Sequence, residues 1–331
     1  MDGRGPDGRS GTPPEAFDLL RRFVLDGGKR LRPRFCYWGW RAAGGADGRP
    51  IVTAAAALEL FHAFALIHDD IMDGSDLRRG RPSAHRHLAA VHARSARRGD
   101  PAGYGRNAAL LCGRLCAAWS AEMFAGCGLG PAAVRRGGEI YAMMRSEVIA
   151  GQYLDLISGA RGGSADRALR VVRLKTARYT VTRPLQIGAA LAGADRELLA
   201  ALAAFGDPLG DAFQLRDDLL GVFGDPAVTG KPILDDLREG KPTVLMALTR
   251  AGADRIQAAR IRDLLGDPRL DPAGAAELRG IIVGTGARGR VEEMIEVRAR
   301  AALAALSATP LPEPARAALA SLASAAVTRR S

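Results

Sequence analysis

The longest apolar stretch in the chain runs from Ile51 to Met72, and neither proline nor glycine interrupts it. A run of that length reads as one buried helix. It closes on Asp69-Asp70-Ile71-Met72-Asp73, and an altered copy, Asp217-Asp218-Leu219-Leu220-Gly221, returns much later. Helical patterning begins near Pro13-Pro14-Glu15. Breaks then fall at Gly27-Gly28, Gly44 to Pro50, Gly74 to Pro82, Gly99 to Gly105, Gly128 to Pro131, Ser158 to Ser164, Gly193 to Asp195, Gly224 to Lys231, Asp267 to Pro272 and Thr309 to Pro314. Apolar-periodic segments of helical length lie between them. Alternating β-branched runs and Asn-Gly or Asp-Gly hairpin signals are missing. No break is long or polar enough for an interdomain linker, and no short repeat suggests a solenoid. The pattern predicts an all-α fold: a disordered tail over 1–12, then a single domain over 13–331 with ten or more helices around a central cavity.

Composition sharpens this. The chain is 47% hydrophobic but only 5% aromatic, so its core is built from alanine, leucine and valine, which suits helices packed closely on helices. Cys36, Cys112, Cys116 and Cys127 form neither a disulfide framework nor a zinc site and read as small core residues. The first twelve residues lack the apolar stretch of a signal peptide. No window of 18 apolar residues escapes a charge, glycine or proline, which argues against a membrane span. A cytoplasmic protein is expected.

A net charge of +11 permits phosphorylated substrates, anionic lipid or nucleic acid. Nucleic acid is disfavoured, because basic tails, aromatic-interleaved arginine blocks and zinc-finger or helix-turn-helix spacings are all missing. The chemistry instead gathers around the aspartates. At about 100° per residue, Asp69 and Asp73 lie one turn apart on one helix face. Two carboxylates under apolar surface repel and are costly to desolvate. A divalent cation between them removes the conflict, and oxygen ligands without histidine or thiol favour Mg²⁺. The bland alternative is a solvated acidic helix end.

Four cationic clusters accompany the acids: Gly27-Gly28-Lys29-Arg30-Leu31-Arg32-Pro33, Leu77-Arg78-Arg79-Gly80-Arg81-Pro82, Lys175-Thr176-Ala177-Arg178-Tyr179, and Gly230-Lys231-Pro232 followed by Asp236 to Lys241. Each alone is weak. Together they supply metal ligands for one pyrophosphate group and cationic clamps for another.

In this order the motifs resemble those of the trans-isoprenyl diphosphate synthases, the head-to-tail prenyltransferases. The resemblance covers Gly27 to Lys241 and adds Glu59-Leu60-Phe61-His62, Gly151-Gln152-x-x-Asp155-Leu156 and Phe213-Gln214-x-x-Asp217-Asp218. It implies Mg²⁺-dependent condensation of an allylic diphosphate with isopentenyl diphosphate in an isoprenoid-synthase bundle, by a homodimer. By this resemblance Asp69, Asp73 and Asp217 hold a cluster of three Mg²⁺, with Asp70 and Asp218 behind them. Arg78, Lys175 and Lys231 take the allylic diphosphate, and Lys29, Arg32, His62 and Arg79 take isopentenyl diphosphate. Thr176 and Gln214 turn oxygen dipoles toward the carbocation. Gln152 and Lys241 join the substrate-binding set, although Gln152 and Asp155 also read as a plain helix-end hydrogen-bonding pair. One departure stands out: Gly221 occupies the place of the family's third acid in the second aspartate motif.

Product length in this family is set four and five residues before the first aspartate, here at Ala65 and Phe64. At about 1.5 Å per residue, Phe64 lies roughly 7.5 Å and Phe61 roughly 12 Å below Asp69. An alanine beside one aromatic resembles the geranylgeranyl (C20) pattern, with farnesyl (C15) and C25 products as alternatives. The competing functional readings are a terpene cyclase, a non-catalytic partner subunit of a synthase, and a basic helical scaffold.

Overall fold

Proline and short polar side chains start many of the helices in the computed structural model, which describes residues 13–95, 98–161, 164–224 and 234–327. Helix α1 (Pro14–Leu25) begins on its proline. Helices α2 (Leu31–Ala42) and α3 (Arg49–Met72) follow. A two-residue ladder, β1 (Leu77–Arg78) with β2 (Arg81–Pro82), then leads into α4 (Ala84–Arg94). Helix α5 (Pro101–Ala125) is capped by Asp100, which accepts from the N–H groups of Ala102 and Gly103. That cap, with proline in the first turn, carries the helix straight through Gly103 and Gly105, where a break was expected.

Next come α6 (Pro131–Arg161), α7 (Ala165–Val171), a π-helical segment (Val172–Thr182) and α8 (Arg183–Ala192). Helix α9 (Arg196–Phe223) starts on Asp195, whose side chain accepts from the Leu198 N–H. The remainder is α10 (Asp235–Arg238), α11 (Val244–Gly252), α12 (Arg255–Leu264), α13 (Pro272–Gly284), α14 (Ala287–Ala308) and α15 (Glu313–Val327). The Asp254–Gln257 capping box makes a start for α12 that the apolar periodicity does not reveal. The all-α class holds, and the short β-ladder is a local addition to it.

The chain forms two compact units, one taking residues up to 33 and 52–128, the other 34–51 and 129–331. In the first, α1, α3, α4 and α5 share a core that includes Leu20, Leu60, Ile67, Leu88, Cys112 and Cys116. A β-carbon on Gly105 would stand 2.3 Å from the His85 carbonyl oxygen, so α4 and α5 touch backbone to backbone. Burial pushes the Cys116 thiol up to about 12, consistent with a core role. In the second unit α9 packs against the π-segment and α14, over a core that includes Leu215, Leu237, Leu245 and Ile295. Gly39 and Gly188 bring α2 and α8 into backbone contact: their β-carbons would lie 2.1 Å from the Leu185 oxygen and 1.8 Å from the Cys36 oxygen.

Among the described residues two helices, α3 and α5, are long and apolar enough to cross a membrane by length and composition alone; 50% of the apolar window of α3 and 33% of that of α5 are buried inside the protein.

Candidate active site

Helix α3 delivers the first aspartate motif. Asp73 lies just past its last residue, yet its N–H still bonds to the Asp69 carbonyl at 2.8 Å, so the one-turn relation expected for Asp69 and Asp73 is kept. Asp70 faces the other way and is fully buried. Arg78 of β1 donates through Nε and Nη2 to Asp70 Oδ1. Burial works against the Arg78 charge, but the hydrogen bond and charge of Asp70, with Asp69 and Asp73 nearby, outweigh it and raise its pKa.

Behind this motif the two basic loops of the first unit converge. His62, two turns before Asp69, is held well below the usual imidazole range by burial first and then by the charges of Arg32, Arg79, Arg78 and Arg30. Arg79 Nη1 donates to the carbonyls of Asp26 at 2.8 Å and Phe23 at 3.3 Å. Arg30 Nη1 pairs with Glu59 at 2.6 Å. Arg30 and Arg79 both hold positive φ, 51° and 55°, a region that side-chain-bearing residues rarely occupy. Such strain persists only where surrounding structure fixes it, and it clusters at ligand clamps. Gly28 provides room, since a β-carbon there would sit 3.2 Å from Arg79 Nη2. Lys29 is exposed beside this cluster and Arg32 is buried within it. An array of guanidiniums around a neutral imidazole is suited to a multiply charged anion.

The second unit carries the other cluster. Lys175 lies in the π-segment, a geometry often found at functional sites. A β-carbon on Gly151 would stand 2.4 Å from the Lys175 nitrogen, so α6 and the π-segment meet backbone to backbone at this residue. Lys175 Nζ donates to Asp155 at 2.6 Å. Asp155 therefore partners the lysine, a contact that sequence reasoning did not assign. Thr176 is partly buried next to it. A buried polar network secures the segment's end: Glu147 accepts from Arg183 at 2.6 and 2.8 Å and from Arg178 at 3.3 Å, and Thr182 donates to Asp207 at 2.7 Å. Of these five only Arg178 stands in a cluster visible in the sequence; Glu147, Thr182, Arg183 and Asp207 look like ordinary helix positions in one dimension.

On α9, Gln214 turns its amide nitrogen to Asp218 Oδ1 at 2.8 Å, which directs its carbonyl oxygen elsewhere. Burial pushes the Asp218 carboxyl up to about 7; the Gln214 hydrogen bond opposes this, the charges of Asp236 and Asp217 add to it, and Lys241 opposes it. Asp218 Oδ2 is buried with no hydrogen-bond partner among the described residues. A buried carboxylate oxygen in that state calls for a proton or a cation. Lys241 Nζ contacts Asp236 at 3.3 Å and Glu239 at 2.7 Å. Lys231 lies outside the described residues.

Oxygen donors of this kind fit a hard divalent cation. Among the described residues no three acidic, imidazole or thiol groups converge into an all-protein cage.

The polyprenyl synthetase family model matches residues 14–280 of the chain. A geranylfarnesyl diphosphate synthase from Aeropyrum pernix is 33% identical over 307 residues, 90% of this chain and 89% of that protein. A crystal structure of geranylgeranyl pyrophosphate synthase from Corynebacterium glutamicum, complexed with isoprenyl diphosphate and magnesium, is 42% identical with a TM-score of 0.92 and covers 96% of this chain and 91% of that one. Polyprenyl synthase from Caulobacter crescentus CB15, complexed with calcium and isoprenyl diphosphate, is 30% identical with a TM-score of 0.78, covering 96% and 95%. Other relatives bear the names farnesyl, geranylgeranyl and nonaprenyl diphosphate synthase.

Proposed function

The chain belongs to the polyprenyl synthetase family and is a prenyltransferase, and we propose that it joins an allylic diphosphate to isopentenyl diphosphate with release of pyrophosphate, giving geranylgeranyl diphosphate (C20) as the main product. The observation that carries this reading is that Arg32, Arg79, Arg78 and Arg30 all lie near enough for their charges to act on His62, two turns before Asp69 on the helix that carries the first aspartate motif. Together they offer one diphosphate a cationic seat beside acids suited to metal.

In this reading Asp69, Asp73 and Asp217 hold Mg²⁺, three ions per site. Mg²⁺ held by these residues would neutralise the charge that builds on the departing pyrophosphate. Lys175 gives up Asp155 to meet the allylic diphosphate, and Lys231 and Arg78 flank it. Arg78 does so while anchored on Asp70, so its fork is oriented before substrate arrives. His62, kept neutral by its surroundings, donates an N–H to isopentenyl diphosphate, with Lys29, Arg32 and Arg79 supplying charge. Gln152 and Lys241 complete the substrate-binding set. Gln214, its nitrogen held by Asp218, and Thr176 present oxygen to the allylic cation as the C–O bond breaks. The isopentenyl double bond attacks that cation, and the released pyrophosphate accepts the final proton.

Chain length rests on α3. Phe61 is 2% exposed and belongs to the core, whereas Phe64 keeps exposed surface and bridges Phe61 (ring centroids 5.3 Å) and His68 (4.6 Å). Phe64 is thus the better barrier, with Ala65 leaving room beside it. A homodimer is the proposed assembly.

Purified chain supplied with isopentenyl diphosphate and, separately, dimethylallyl, geranyl or farnesyl diphosphate should release pyrophosphate only with Mg²⁺. Asp69→Ala and Asp217→Ala should each cut turnover roughly a hundredfold or more. Turnover indifferent to both substitutions defeats the reading.

A further inference from the structure

Gly221 stands where the family pattern expects the last acid of the second aspartate motif, and its space is filled. A β-carbon built on Gly221 would lie 1.7 Å from Asp236 Oδ2 and 2.8 Å from Asp236 Cγ. The carboxylate of a residue fifteen positions on (236 minus 221) therefore occupies the volume that a side chain at position 221 would enter.

This placement is built by the surroundings of α10. Leu237, the next residue, is 1% exposed in the core of the second unit. Arg238 grips the Leu270 carbonyl through Nε at 3.1 Å and Nη2 at 2.7 Å. The Leu237 carbonyl accepts from the Gly266 N–H at 2.9 Å. With both following residues pinned, Asp236 is directed at α9, and Lys241 Nζ holds its other oxygen at 3.3 Å. The side chain is 19% exposed. Close by, the buried Asp218 Oδ2 lacks a hydrogen-bond partner among the described residues.

We propose that Asp236 is the third carboxylate of the second aspartate cluster, delivered from α10 into the space opened by Gly221, where it positions Asp218 and Asp217 for a divalent cation. The proposal rests on the metal role given above to Asp217. Asp236 acts as a positioning residue: its charge and its Lys241 contact set the field at the two aspartates, as outer carboxylates do for metal ligands. A glycine inside a helix normally costs stability relative to alanine. Here the missing side chain is what admits the acid.

The test reads metal binding directly. Mg²⁺ is titrated calorimetrically into the full chain with inorganic pyrophosphate present, and turnover is followed against Mg²⁺ concentration. Asp236→Asn should raise the half-saturating Mg²⁺ concentration about tenfold or more. Gly221→Ala should do the same although every acid remains, because the methyl group displaces Asp236, while its better helix propensity protects the fold. Gly221→Asp combined with Asp236→Gly returns an acid from the helix itself and should recover Mg²⁺ dependence to within about threefold of the native chain. Native Mg²⁺ dependence in Gly221→Ala, or a combined variant no better than Asp236→Asn, overturns the proposal. If the native chain binds Mg²⁺ and pyrophosphate, and Asp217→Ala abolishes that binding while Asp236→Asn and Gly221→Ala leave it unchanged, only this inference falls. If Asp217→Ala has no effect, the metal assignment itself falls.

Discussion

Converting Asp70 to asparagine removes one charge and almost no volume, so it isolates what the Asp70–Arg78 pair contributes. Asp70 has no exposed surface, and the Arg78 side chain is 18% exposed. Two N–H donors of Arg78 share one carboxylate oxygen. Breaking a buried ion pair by removing one partner costs about 3–5 kcal/mol, since the survivor keeps its desolvation penalty. Arg78 retains some access to water, so the lower end applies, about 3 kcal/mol. For a chain of 331 residues that corresponds to a fall of roughly 4 °C in the melting midpoint of the metal-free chain. Arg78→Met should cost at least as much, because it removes the guanidinium from a carboxylate with no exposed surface. In the double variant Asp70→Asn with Arg78→Met the losses should not add. Urea unfolding of the four proteins closes the cycle, with a coupling of about 2 kcal/mol expected. A coupling below about 0.5 kcal/mol, or an Asp70→Asn melt matching the native one, refutes the account of Arg78 as a fork preset by Asp70.

Two other outcomes follow from the same unit. Phe64→Ala should shift the product toward longer prenyl chains while Phe61→Ala chiefly lowers stability, by about 3–5 kcal/mol for a core phenylalanine; an unchanged product from Phe64→Ala on chromatography removes the barrier role. His62 titrates lower in the folded chain than in the unfolded one, so the unfolded state binds the extra proton once the pH drops below about 6.5, and stability declines from there toward acid. Between pH 7.5 and 5.5 the native chain should lose about 1 kcal/mol that His62→Gln keeps, read from urea midpoints; equal losses would show the imidazole free to charge.

Much of this architecture is legible in one dimension because helices announce themselves by periodicity and by their stops. The run from Ile51 to Met72 became α3 with only its start moved, from Ile51 to Arg49. Where the prediction slipped, a local cap prevailed over composition: Asp100 with Pro101 carries α5 through two glycines. Motif residues were equally visible, since spacing along a helix fixes which face they share. Their partners were not. Arg78 on Asp70, Lys175 on Asp155 and Asp236 against Gly221 each join residues whose adjacency is created by packing. Glu147, Arg183 and Asp207 carry no pattern of their own and gain meaning only from the π-segment they brace. The left-handed backbone at Arg30 and Arg79 is likewise invisible to propensity, which favours glycine there.

The lysine of the π-segment is held by an acid of its own fold. Its ammonium donates to Asp155 at 2.6 Å, which neutralises its charge. In the proposed reaction, a phosphate oxygen reaching Lys175 would have to displace that carboxylate, so its net gain would be the difference between two similar contacts. Weak, reversible hold on the anion is the natural result, which suits a catalyst that has to surrender pyrophosphate after every turn.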